Sequence, residues 1–66
     1  MNKNELNGKW FQAKGTIMEK WGKITNDVYD QIDGSYDRLV GKIQELYGIT
    51  TEEAKKQIDE LFEDKK

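Results

Sequence analysis

A chain of 66 residues with 11 Lys and Arg, 13 Asp and Glu, and neither histidine nor cysteine has room for one small core and few parts for catalysis. Without cysteine there is no disulfide, thiolate nucleophile or thiolate-bound zinc, and without histidine the commonest metal ligand and general base are missing. The formal charge of -2 sets up no overall field toward nucleic acid or anionic lipid, and a domain this small buries only roughly 60% of the surface its unfolded chain exposes. A binding surface is therefore easier to build here than a deep reactive pocket.

The first ten residues, MNKNELNGKW, are polar, and no long apolar run follows. This predicts neither a secretory signal nor a membrane span, and hence a cytoplasmic protein. From Leu6, the residues Trp10, Ala13, Ile17, Trp21 and Ile24 step by four, three, four, four and three, one face of a helix turning 100° per residue. The spacing predicts a first helix from about Asn4 to Trp21, with Asn4 as its cap and Gly22 as a left-handed terminator. A second helix is expected over Asn26 to Asp33, capped by Thr25 and ended by Gly34. A third, from about Ser35 to Tyr47, carries the broadest apolar stripe and should be the most buried, with Gly48 as its stop and Ile49 folding back on the last turn. Thr50 and Glu53 have the spacing of a capping box and open a fourth helix bearing Ala54, Ile58, Leu61 and Phe62 on one face. The tail Glu63 to Lys66 is expected to fray.

The two halves repeat. Shifted by 26 positions, Gly8 falls on Gly34, Gly15 on Gly41, Ile17 on Ile43, Gly22 on Gly48, Thr25 on Thr51, Gln31 on Gln57 and Ile32 on Ile58, without a gap, while Trp10 and Trp21 fall on Tyr36 and Tyr47. With no proline and short joints, this predicts an all-α domain spanning residues 1–66. It consists of four helices in two packed αα-hairpins, about residues 4–33 and 34–62, related by a pseudo two-fold axis. The recurring aromatics Trp10, Trp21, Tyr36 and Tyr47 belong to its core.

Glycine in a helix interior costs on the order of 1 kcal/mol relative to alanine, so Gly15 and Gly41 need a reason. Close approach by another segment of the same chain is one. In the first half there is a second, because on a helical wheel Phe11 and Met18 lie beside Gly8 and Gly15. The four form a candidate patch for a partner helix or a second copy of the protein. Against it stands the default for apolar residues at helical spacing, which packs Phe11 and Met18 under the second hairpin.

The charges offer little chemistry. Asp27, Asp30, Asp33 and Asp37 lack the alternate-residue spacing and closing glutamate of a calcium loop and read as a solvated acidic face. Lys9, Lys14, Lys20 and Lys23 bias the first half toward basic, and with Trp10 nearby they raise nucleic acid as an alternative, limited to weak, salt-sensitive binding because acids are interspersed. No nucleophile with an adjacent base can be drawn, and glycines spaced by seven form no phosphate-binding loop, so no catalytic residue, cofactor or metal site is expected.

The segments Gly8-x-Trp10, Lys14-Gly15, Glu19-x-Trp21-Gly22-Lys23-Ile24-Thr25, Gly34-x-x-Asp37-x-Leu39-x-Gly41-x-Ile43-Gln44 and Tyr47-Gly48 resemble the CsbD-like family of small bacterial general stress proteins, over about residues 2–60. The resemblance implies a cytoplasmic, four-helix protein induced by general stress, with no enzymatic activity or cofactor to carry over. This sequence departs from the family in Asn26 before Asp27, where acids commonly run together, and in the apolar Phe11, Ile17 and Met18, where a polar, lysine-rich run is usual. The expected function is that of a non-enzymatic stress protein, a monomer, acting by contact with another macromolecule or by bulk protection.

Overall fold

The computed structural model describes residues 3–62, with side chains from Leu6 onward. Every regular element among them is helical: α1 (Lys3–Lys9), α2 (Lys14–Lys20), α3 (Asn26–Ile32), α4 (Tyr36–Tyr47) and α5 (Thr51–Phe62). Among the described residues the chain is all-α, with five helices where periodicity predicts four. The expected first helix is interrupted at Trp10–Ala13, where Trp10 turns to stack on the ring of Tyr29 at 4.3 Å between centroids and 7° between planes. Tertiary packing thus overrides a continuous helical pattern. The expected cap, Asn4, falls within α1, and its side chain lies outside the described residues; the tail from Glu63, expected to fray, lies outside them altogether.

The other helix starts follow the sequence. The hydroxyls of Thr25, Ser35 and Thr50 accept from the N–H groups of Val28, Arg38 and Glu53 at 3.3, 3.3 and 3.1 Å, each satisfying a donor that the first turn leaves without a helical partner. The stops are more varied. Gly48 ends α4 in the left-handed region as expected, its N–H on the Gln44 carbonyl. At the end of α3 it is Asp33 that takes the left-handed cap, at φ 52, with Gly34 following at φ 77. Gly22, expected to be left-handed, is not: α2 leaves through Trp21 at φ -115, ψ 84, and the Ile24 N–H closes a turn on the Trp21 carbonyl. Tertiary ties replace the glycine cap there, since Trp21 Nε1 donates to Gln57 Oε1 at 2.9 Å and the Lys23 N–H to the Tyr47 hydroxyl at 3.0 Å.

Helix α4 is the hub, packed against α1, α3 and α5. This pairing differs from two self-contained hairpins, because the break detaches α1 from α2 and lets α1 lie on α4. The core nonetheless uses the predicted stripe: Leu6, Trp10, Ile17, Trp21 and Ile24 are buried with Tyr29 and Ile32 of α3, Leu39, Val40 and Ile43 of α4, and Ala54 and Ile58 of α5. Tyr36, Tyr47, Leu46 and Ile49 pack against it half-buried.

Two consequences are measurable. Truncating Trp10 or Trp21 to alanine should cost about 3–5 kcal/mol in urea unfolding, much of the stability of so small a domain; a wild-type midpoint would contradict the core assignment. Burial, helped by Asp30, raises the Tyr29 phenol above its ordinary 10.0, and burial, helped by Asp59 and Asp37, raises that of Tyr36. A phenol whose native value exceeds its unfolded value contributes stability that is complete below about pH 10 and lost as pH rises through the native value. The urea midpoint should therefore fall above about pH 10 in step with phenolate absorbance, and a midpoint flat through that titration would show that the phenols are not linked to folding.

Candidate functional site

The four residues of the candidate patch fall on two helices and the turn between them. Gly8 is exposed in α1, Phe11 stands in the turn, Gly15 is exposed at the second position of α2, and Met18 is half-buried against the core. The interruption ends the single helical wheel that set them side by side, and it separates the two apolar members. Met18 behaves as the core reading expects. Phe11 does not: at 87% exposure it is the one large hydrophobic left in solvent among the described residues.

Around Phe11 the surface is polar and basic. Gln12, Lys9 and Lys14 are all exposed. The Lys14 ammonium lies 5.3 Å from the centre of the Tyr29 ring, on whose other partner, Trp10, the turn is anchored. Lys20 and Lys23 have similar duties. Lys20 sits 5.7 Å from the Trp21 ring and Lys23 5.2 Å from the Tyr47 ring, and Lys23 Nζ also donates to the Leu46 carbonyl at 3.4 Å, a cation on the negative end of α4. Three of the four lysines that suggested nucleic acid thus lie over aromatic rings instead of forming one open stripe.

The acidic row is also dispersed among local roles. Asp27 lies in the first turn of α3 and Asp37 in that of α4, where a negative charge is favourable, and Asp33 is the α3 cap. Among the described residues no three carboxylates gather into a metal-holding group.

The glycines separate into two kinds. A Cβ on Gly8, Gly15 or Gly41 would meet nothing within 4 Å, so none of these three is required by a close approach, contrary to that expectation for Gly15 and Gly41. Gly34 is the closely packed one: at φ 77 its Cβ would lie 3.0 Å from Asn7 Oδ1 and 3.6 Å from Trp10 Cγ. Its partner across the contact is the aromatic that anchors the α1–α2 turn. Sequence reasoning missed this role and that of Tyr29, whose only signal is its place with Val28 and Ile32 among the apolar residues of the short α3. Gly41→Ala should raise stability by about 0.5–1 kcal/mol, whereas Gly34→Ala should lower it by about 1 kcal/mol or more. Thermal unfolding of the pair checks this, and equal effects of one sign would contradict the assignment.

The CsbD-like family pattern matches residues 4–56. The chain is 51% identical over 59 residues to the UPF0337 protein YjbJ of Escherichia coli O6:H1, a match covering 89% of this chain and 86% of that one. It is 48% identical over 58 residues to a UPF0337 protein of Pectobacterium atrosepticum, covering 88% and 84%. With a UPF0337 protein of Protochlamydia amoebophila it shares 42% over 65 residues, covering 98% and 97%. No solved structure matches it.

Proposed function

Since the chain belongs to the CsbD-like family, we propose that it is a non-enzymatic general stress protein of the bacterial cytoplasm that acts through contact with another macromolecule, using the α1–α2 turn. The observation that carries this reading is Phe11. Burying a phenylalanine stabilises a fold by about 1.5–3 kcal/mol, and a 66-residue chain has few apolar side chains to leave idle. Lone apolar residues on a surface are ordinary, but this one tops a turn that the core holds in place and is flanked by exposed glycines that admit close approach.

The 26-residue sequence repeat supports reading residues 1–66 as one domain that arose by duplication of a helical hairpin. In that reading the second copy supplies the α4–α5 scaffold, while the first has diverged at its aromatic turn. The free protein is a monomer, and part of its benefit under stress comes from bulk protection by a small, highly charged domain. The alternative, nucleic-acid binding through Lys9, Lys14, Lys20 and Lys23, draws less support, because Lys14, Lys20 and Lys23 lie over aromatic rings.

Phe11→Asp should leave stability within about 0.5 kcal/mol of wild type, as for other surface substitutions, and should abolish crosslinked complexes formed in stressed cells. If Phe11→Asp keeps every complex, the contact reading fails. If random-sequence DNA or RNA stays bound at moderate salt, the nucleic-acid reading replaces it.

A further inference from the structure

We infer that the Tyr29 hydroxyl is the latch that interrupts the first helix and thereby puts Phe11 in solvent. Nothing local accounts for the interruption. Residues Trp10–Ala13 contain neither proline nor glycine, the residues to which helix breaks are ordinarily traced. The matching positions 26 residues on, Tyr36–Leu39, form the first turn of the unbroken α4.

The hydrogen bonds locate the cause. In a continuous helix the Trp10 carbonyl would accept from the Lys14 N–H, four residues on. Here it accepts from the Tyr29 hydroxyl instead, and the Lys14 N–H turns to the Phe11 carbonyl, three residues back, at 3.4 Å. Ordinary four-residue bonds stand on either side, from the Ala13 N–H to the Lys9 carbonyl at 2.9 Å and from the Ile17 N–H to the Ala13 carbonyl at 2.8 Å. The Trp10 N–H also bonds only three residues back, to the Asn7 carbonyl at 3.4 Å, so the disturbance runs from the Trp10 N–H to the Lys14 N–H and takes in the carbonyl that the phenol occupies.

The competition is uneven. Tyr29 is 2% exposed, and a phenol buried that deeply needs a partner, whereas the exposed Lys14, displaced from the Trp10 carbonyl, still finds the Phe11 carbonyl for its N–H. Stacking on Trp10 and the Lys14 ammonium over the ring hold the phenol in position. In the second half the position matching Tyr29 is Lys55, exposed on α5 and without a phenol; there Tyr36–Leu39 are helical, and the break falls three residues earlier, at residues 33–35, between α3 and α4. In the latched arrangement of residues 10–14 the Trp10 and Lys14 N–H groups both bond three residues back, and the Trp10 carbonyl is left to the phenol. The structural claim stands by itself; its bearing on partner contact rests on the reading proposed above.

Tyr29→Phe keeps the ring and its stack and removes only the hydroxyl. In this variant the 13Cα secondary shifts of Trp10–Ala13 should move to helical values, and exchange of the Lys14 amide should slow roughly ten-fold or more. A folded Tyr29→Phe protein with the same turn shifts and unchanged Lys14 exchange overturns the latch. Should the variant not fold, the wild type decides: a slowly exchanging Tyr29 hydroxyl proton with nuclear Overhauser contacts to Trp10 supports it, and the absence of that resonance overturns it. Neither readout uses a partner, so loss of the contact reading through Phe11→Asp leaves the latch standing, and the reverse also holds.

Discussion

The seat of Trp10 is the constraint on which the rest of this structure depends. Its ring lies flat on Tyr29 of α3, its carbonyl takes the Tyr29 hydroxyl, and its Cβ and Cγ lie against Gly34, in the joint between α3 and α4. One residue thus ties the α1–α2 turn to the α3–α4 joint. A side chain at position 34 would meet Asn7 and Trp10 and would have to form at positive φ, so the glycine and the tryptophan fix each other. With Trp10 held, α1 can leave the line of α2 and lie on α4.

The joint after α2 uses the same device. Trp21 is buried but keeps its indole N–H on Gln57 of α5, and the backbone of Lys23 holds the Tyr47 hydroxyl at the end of α4. Large rings fill the core while their polar edges fix the joints, which suits a chain too small for a deep apolar interior. Lysines then shield the outer faces of three of these rings. The high charge content is in this way partly structural, and it lowers the standing of any reading in which those lysines wait for nucleic acid.

Most of the core was legible because burial follows periodicity even where a helix does not. Leu6, Trp10, Ile17, Trp21 and Ile24 are all inside, although the helix that predicted them is interrupted between the second and third. The caps at Thr25 and Thr50 were legible because a cap is a local bond, set by residues three apart, and Ser35, read only as the start of its helix, caps α4 in the same way. What could not be read was set by contacts distant along the chain. Tyr29 acts on Trp10 from 19 residues away, and Gly22 gives up its expected conformation to ties from Gln57 and Tyr47. For the candidate patch, composition and spacing brought out Phe11 and Met18 together, yet the same break that freed Phe11 left Met18 on the core.

The first half of this chain is two helices joined by an aromatic turn, not one helix. Backbone 13C secondary chemical shifts of the wild-type protein test it most directly. Two helices joined by a turn give helical values over Lys3–Lys9 and Lys14–Lys20 with a clear drop at Trp10–Ala13, and ring-current shifts on Tyr29 from the stacked indole. Uninterrupted helical shifts from Asn4 to Trp21 would contradict it.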